Sequence, residues 1–231
     1  MQGVIPFEPD VAAWRAWRPE EIARRLAGVQ VPWYIAGGWA IDLFLGKQHR
    51  EHEDLEIAAP HARFGDIVAA LPDLDFFVVG DGLAWPMNEA GEMFDAHHQT
   101  WARDRSNERW RLDLFREPAD GDIWISRRDE RIRLPYSQLI ERTAGGIPYG
   151  RPEVILLFKA KASRPKDEDD FATVLPRLDT RARTWLREAL SLIQPDHPWI
   201  TTLQEGTRDD SGDGPSNNRA ASGLSGMSQK G

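Results

Sequence analysis

Cysteine is absent from the 231-residue chain, which excludes a disulfide framework, a thiolate metal centre and a cysteine nucleophile. No apolar run approaches the roughly 20 residues that a membrane-spanning helix needs, although 41% of the residues are hydrophobic. The opening MQGVIPFEPD has neither the basic nor the apolar region of a secretory leader. A cytoplasmic location with no membrane partner is therefore expected. Basic residues are in deficit: 29 Lys and Arg stand against 37 Asp and Glu, for a net charge of -8. Neutralising the phosphates of a nucleic acid requires the opposite balance, so nucleic acid is not the expected partner. Residues 127–133 form the one arginine cluster that could argue otherwise. Tyrosine is scarce, with three residues, whereas the ten tryptophans read as core and rim packing. No internal repeat is visible.

Residues 33–60, WYIAGGWAIDLFLGKQHREHEDLEIAAP, are the stretch around which the chain is organised. An apolar run at residues 31–36, broken by Pro32, reads as a buried strand. Gly37 and Gly38 follow, and residues 39–45 carry helix-spaced apolar side chains up to Gly46. Residues 53–58 then alternate acid with apolar, so a strand there would project Asp54 and Glu56 from one face and Leu55 and Ile57 from the other. Two neighbouring carboxylates repel and lose hydration unless a cation offsets both costs. Mg²⁺ is commonly held by one or two carboxylates together with substrate phosphates. A Gly-Gly turn before a helix supplies the complement, because backbone without Cβ atoms lets a phosphate approach the helix N–H groups. Strand, glycine turn, helix and acidic strand in this order describe a metal-dependent nucleotide site.

Gly37-Gly38-Trp39-Ala40-Ile41-Asp42, followed by Arg50-x-His52-x-Asp54-x-Glu56-Ile57, resembles the signature of the nucleotidyltransferase-fold aminoglycoside and lincosamide adenylyltransferases, the 2''-aminoglycoside type above all. The resemblance implies Gly37 and Gly38, with Trp39 beside them, as the turn that holds a nucleoside triphosphate. It implies Asp54 and Glu56 as Mg²⁺ ligands, and a third carboxylate on a later strand. Trp39 stands where a serine is common in the wider superfamily, which removes one expected hydroxyl contact.

Asp113, between Leu112 and Leu114 in RWRLDLFRE, is the candidate for that third carboxylate. An unpaired charge in mid-strand would be costly; the competing role is an ion pair with Arg111 or Arg116. By resemblance Asp113 holds metal or acts as base on the acceptor hydroxyl. Residues 109–115 and 122–126 are expected to pair as antiparallel strands. Of His97 and His98, one is a candidate to line the pocket. A helix is expected over 152–161, beginning at Pro152, with Lys159 near its end. Lys159 and Lys166 are candidates to reach the triphosphate, by resemblance to the C-terminal segment of related enzymes; helix-terminus roles are equally open. The acids of KDEDD, residues 166–170, read as helix caps.

The expected architecture is α/β: a mixed nucleotidyltransferase-like sheet with flanking helices over residues 1–150, a helical part over 151–200 and a disordered tail over 201–231. The expected activity is Mg²⁺-dependent transfer of a nucleoside monophosphate, as AMP from ATP, to a hydroxyl of a small molecule, with an aminoglycoside-like antibiotic suggested by resemblance. A monomer or homodimer is expected. The alternatives are a non-catalytic nucleotide-binding protein on the same fold and a toxin-type enzyme acting on tRNA or protein.

Overall fold

The computed structural model describes residues 5–205. The chain runs through α1 (Pro19–Arg25), β1 (Tyr34–Ile35), α2 (Gly37–Leu45), β2 (Glu56–Pro60), α3 (Phe64–Ala69), β3 (Leu74–Gly80) and β4 (Leu83–Pro86). There follow α4 (Met93–Ala96), β5 (Gln99–Asp104), β6 (Trp110–Glu117), β7 (Ala119–Asp120), β8 (Ile123–Ile125) and β9 (Arg133–Pro135). The remainder comprises α5 (Tyr136–Leu139), β10 (Ile140–Arg142), β11 (Pro148–Gly150), α6 (Pro152–Lys159), α7 (Pro165–Val174), α8 (Thr180–Ile193) and α9 (Trp199–Glu205). Eight strands form a mixed sheet in the order β10-β11-β1-β2-β6-β5-β3-β4. β2 and β6 are parallel neighbours at its centre, while β1 runs antiparallel to β2.

Sequence periodicity explains the central layer. Ile57, Leu112 and Leu114 join Ile35 in a core that also takes Ile41 of α2, Ile67 of α3, Leu156 of α6 and Leu186 and Leu190 of α8. The alternate positions on the same strands, Glu56 and Asp113, are thereby turned to the other face. α2 starts directly at Gly37 and stops at Gly46, which adopts a left-handed φ of 71° and caps the carbonyls of Asp42 and Leu43. α6 and α7 both open with proline in the first turn, where the missing N–H costs nothing. Two tryptophans, Trp110 and Trp124, are fully buried, in keeping with packing roles. No helix among the described residues is long and apolar enough to cross a membrane.

Three expectations need correction. Regular pairing of the acidic strand begins at Glu56, so Asp54 precedes β2 rather than lying in it. Residues 122–126 do not pair with the Asp113 strand: β6 already has β2 on one edge and β5 on the other. β8 instead joins β7 and β9 in a separate three-stranded sheet. Finally, the chain stays helical through α9, with Leu203 buried, so the proposed tail cannot begin at residue 201. Residues 206–231 lie outside the described residues.

Candidate metal and nucleotide site

Glu56 and Asp113 sit opposite one another on the parallel strands β2 and β6. That register puts two carboxylates side by side on one face, 57 positions apart in sequence. Asp54, partly exposed on the approach to β2, completes the group: a carboxylate oxygen from each of the three lies within 4.8 Å of the others. Asp113 is buried, and one of its oxygens accepts a hydrogen bond from Gln99 Nε2 at 2.6 Å. The other is buried without a partner among the described residues. Burial, and then the charge of Glu56, push the Asp113 carboxyl well above its ordinary range. Glu56 rises to about 7, through burial and then the charge of Asp54. An orphaned buried oxygen facing two further carboxylates is a donor set for a hard divalent cation, and all-oxygen ligation suits Mg²⁺. The ion-pair role weighed for Asp113 is not what the structure shows, since Arg111 bonds to Asp104 and Arg116 bonds to the carbonyls of Phe94 and His97.

Glu56 also explains the glycines. Gly37 has a φ of 58°, and a Cβ built on it would fall 1.2 Å from Glu56 Oε2. The carboxylate lies directly over the glycine turn because nothing projects from it. Gly37→Ala is therefore expected to keep the fold, at a cost of about 1 kcal/mol or more for the left-handed residue, while displacing Glu56 and abolishing Mg²⁺ binding. Calorimetric titration of Mg²⁺ into the variant checks this; wild-type affinity would show that Glu56 does not depend on the turn.

Next to Glu56 lies a cavity of about 640 Å³ between the sheet and α6, lined by Tyr34, Gly37, Phe115, Glu117, Ile155 and Phe158 among others. Arg127, Arg128, Lys159, Lys161 and Arg164 also line it, against the acids Glu56, Glu117 and Asp167. Cations therefore outnumber acids in a chain whose net charge is negative. Arg127 is held 3.2 Å from the buried Glu117. Of the two histidines weighed from the sequence, His98 lines the cavity, and His97 stacks on Trp85. Burial, then the charges of Arg127 and Arg116, lower the His98 pKa to about 4, so the ring is neutral near pH 7.

The remaining sequence candidates fall into different places. Trp39 faces a second, smaller cavity of about 260 Å³ with Trp14, Trp17 and His52. Lys159 is an internal strut: its Nζ lies 3.0 Å from Asp167 and 2.8 Å from Asp170. Lys166 is exposed on α7, close enough with Arg164 to counter the charge of Glu56. Lys161, at the end of the same expected helix as Lys159 and open to the same two roles from the sequence, lines the cavity and makes no ion pair among the described residues. Asp167 does cap α7, accepting the Arg164 backbone N–H at 3.1 Å. Asp170, read as a cap, is instead fully buried among His49, Arg50 and Lys159. The K-D-x-x-D spacing carries this signal, since positions 167 and 170 share a helix face.

The family profile described as Aminoglycoside-2''-adenylyltransferase matches residues 20–129, a span that contains both glycines and all three carboxylates. The 2''-aminoglycoside nucleotidyltransferases of Escherichia coli and Klebsiella pneumoniae are each 35% identical to this chain, over 29% of it and 46% of their own length. The chain thus spans less than half the length of these curated relatives. Among solved structures, the antibiotic-resistance factor ANT(2'')-Ia is similar at 17% identity and a TM-score of 0.44, over 87% of this chain and 91% of that one. The lincomycin-bound lincosamide adenylyltransferase LnuA is similar at 17% identity and a TM-score of 0.47, over 68% of this chain and 93% of that one. Over residues 20–129, which include the glycine turn and the three carboxylates, the chain is thus similar to the aminoglycoside-2''-adenylyltransferase family.

Proposed function

We propose that the protein is a Mg²⁺-dependent nucleotidyltransferase that moves a nucleoside monophosphate, AMP from ATP, onto a hydroxyl of an antibiotic-like small molecule. The observation that carries this reading is the juxtaposition of Asp54, Glu56 and Asp113 with a cation-rich cavity. Three converging carboxylates suit a divalent cation, and the basic groups beside them suit a polyphosphate.

Asp54, Glu56 and Asp113 would hold Mg²⁺, which when bound supplies charge neutralisation on the pyrophosphate leaving group and polarises the α-phosphorus. Lys161 and Arg164, which line the cavity, and the exposed Lys166, whose charge reaches Glu56, attract and orient the triphosphate. The absence of a side chain at Gly37 lets the Glu56 carboxylate lie over the turn, beside the cavity. Asp113 takes the proton of the acceptor hydroxyl as that oxygen bonds to the α-phosphorus and the bond to pyrophosphate breaks. Phe115 and Phe158 offer apolar surface to whichever ring enters the cavity. An aminoglycoside or a lincosamide is the acceptor class to try first, in line with the names of the similar proteins.

The test is thermal stability with each nucleoside triphosphate, with and without Mg²⁺, for wild type and Asp54→Ala. Asp54 is partly exposed and outside the strand, so its loss leaves the fold intact. A ligand present at a hundredfold excess over its dissociation constant stabilises the folded state by about 2.7 kcal/mol. A Mg²⁺-dependent shift in wild type, lost in the variant, is expected, followed by pyrophosphate release with an acceptor. No shift with any triphosphate would sink the proposal. Binding without turnover on any acceptor would favour the non-catalytic reading.

A further inference from the structure

We infer that Arg50 is a positioning residue for the glycine turn, tying it to α7 through a buried chain of charged groups. The inference rests on the nucleotidyltransferase reading, and it assigns a function to residues that bind neither metal nor substrate in that reading.

The chain begins on α2 and ends on α7. Asp42 is buried on the first and Asp170 on the second. His49 bridges them, one ring nitrogen bonded to Asp42 and the other 2.8 Å from Asp170. Arg50 makes a two-pronged contact with Asp170, Nε to Oδ1 at 3.0 Å and Nη2 to Oδ2 at 3.1 Å. Its third nitrogen, Nη1, donates to His52 Nδ1 at 3.0 Å. An arginine can only donate, so His52 Nδ1 accepts and the proton sits on Nε2. That nitrogen donates to Asp42 at 2.5 Å, closing the circuit. Lys159 joins from α6, 2.8 Å from Asp170.

What makes this circuit more than a fold-holding cluster is where it presses. A Cβ on Gly38 would lie 2.4 Å from Arg50 Nη2 and 2.5 Å from the His52 ring. Arg50 and His52 therefore support the second glycine of the turn from behind, while Glu56 covers the first from the front. The same Asp170 that orients Arg50 sits one helical turn from Asp167, which holds Arg164 at 2.8 Å. The guanidinium of Arg50 thus sets the turn and the triphosphate-facing end of α7 in one register. Planar bidentate contact is needed for that, and an ammonium cannot reproduce it.

The experiment compares wild type, Arg50→Ala and Arg50→Lys in Mg²⁺-triphosphate binding and in transfer, with guanidinium added at non-denaturing millimolar concentration. A Mg²⁺-triphosphate shift together with transfer in wild type establishes that the underlying reading stands; the absence of either defeats that reading rather than this inference. Given that shift, Arg50→Ala is expected to raise KM for the triphosphate and to lower kcat, by about 10- to 100-fold in kcat/KM, with KM for the acceptor unchanged. Added guanidinium should restore a measurable part of the loss, whereas Arg50→Lys should not. If Arg50→Ala does not fold, Arg50→Lys and Gly38→Ala are read in its place, because a methyl at Gly38 displaces the same guanidinium. Wild-type triphosphate kinetics in variants that only melt earlier would overturn the inference and leave Arg50 a purely structural residue.

Discussion

Asp113→Asn is expected to lower nucleotidyl transfer by on the order of 100- to 1,000-fold while making the metal-free protein more stable above neutral pH. The two effects have one cause. Asp113 is buried, its carboxyl is held well above its usual range by that burial and then by Glu56, and one oxygen lacks a partner. Asparagine keeps the shape and the acceptor for Gln99, but removes the charge that repels Glu56 and Asp54. The direction with pH follows from the raised values. Glu56 goes from 4.5 to about 7 on folding, so its contribution to stability is complete below pH 4.5 and is lost as pH rises through 7. A rise of this size corresponds to on the order of 3 kcal/mol. The metal-free wild type should accordingly melt at falling temperature from pH 5 to pH 8. Asp113→Asn should fall less steeply, and added Mg²⁺ should restore the wild type but not the variant. Melting curves across this range, with and without Mg²⁺, check the prediction; identical pH profiles for the two proteins would refute it.

Asp170→Asn should have the largest effect on stability, a loss of about 3–5 kcal/mol. Burial opposes ionisation of Asp170, but the bonds from Arg50 and Lys159 outweigh it and hold its pKa below the ordinary value. The carboxylate is wholly inaccessible and faces Arg50, Lys159 and His49. Asparagine would leave those cations buried with less than their charge matched. Such a loss reflects the cost of stranding charges, not a net gain from having buried them; exchanging the entire cluster for apolar residues is a different experiment. Urea denaturation of Asp170→Asn beside Lys166→Ala separates the cases, since Lys166 is exposed and its removal should move the midpoint little. A loss below about 1 kcal/mol for Asp170→Asn would mean that water or a rearranged Lys159–Asp167 pair takes over.

The parts of the site that were legible in the sequence are those written in local spacing. Gly37-Gly38, the helix to Gly46 and the D-x-E pair occupy one short stretch, so turn chemistry and strand alternation bring them out, although the strand begins only at Glu56 and leaves Asp54 ahead of it. Asp113 stood out because a charge between two leucines in a strand demands an explanation. Pairing partners were less legible. The strand at 123–125 follows the Asp113 strand closely and looks like its hairpin mate. Which edge is free depends on β2 and β5, which lie far away in sequence. Lys159 shows the same limit: a lysine at the end of a helix near a nucleotide site looks like a phosphate ligand until Asp167 and Asp170 are seen on either side of it.

By itself, the sequence determined the repertoire: no thiol chemistry, a glycine turn feeding a helix, and two carboxylates, Glu56 and Asp113, on strands with an apolar opposite face, with Asp54 just ahead of the first. Alternation dictates which face each carboxylate takes, and the left-handed turn dictates glycine; both are properties of a few adjacent bonds. Tertiary structure alone decided that Glu56 and Asp113 share a register, that Glu56 covers Gly37, and that Arg50 and His52 stand behind Gly38. It also decided that basic groups from α6 and α7 gather around a cavity in a protein of net negative charge. These are consequences of distant segments packing together, and desolvation then gives the gathered charges their altered proton affinities. A carboxylate's charge is written in the chain, but its neighbours and its access to water belong to the fold.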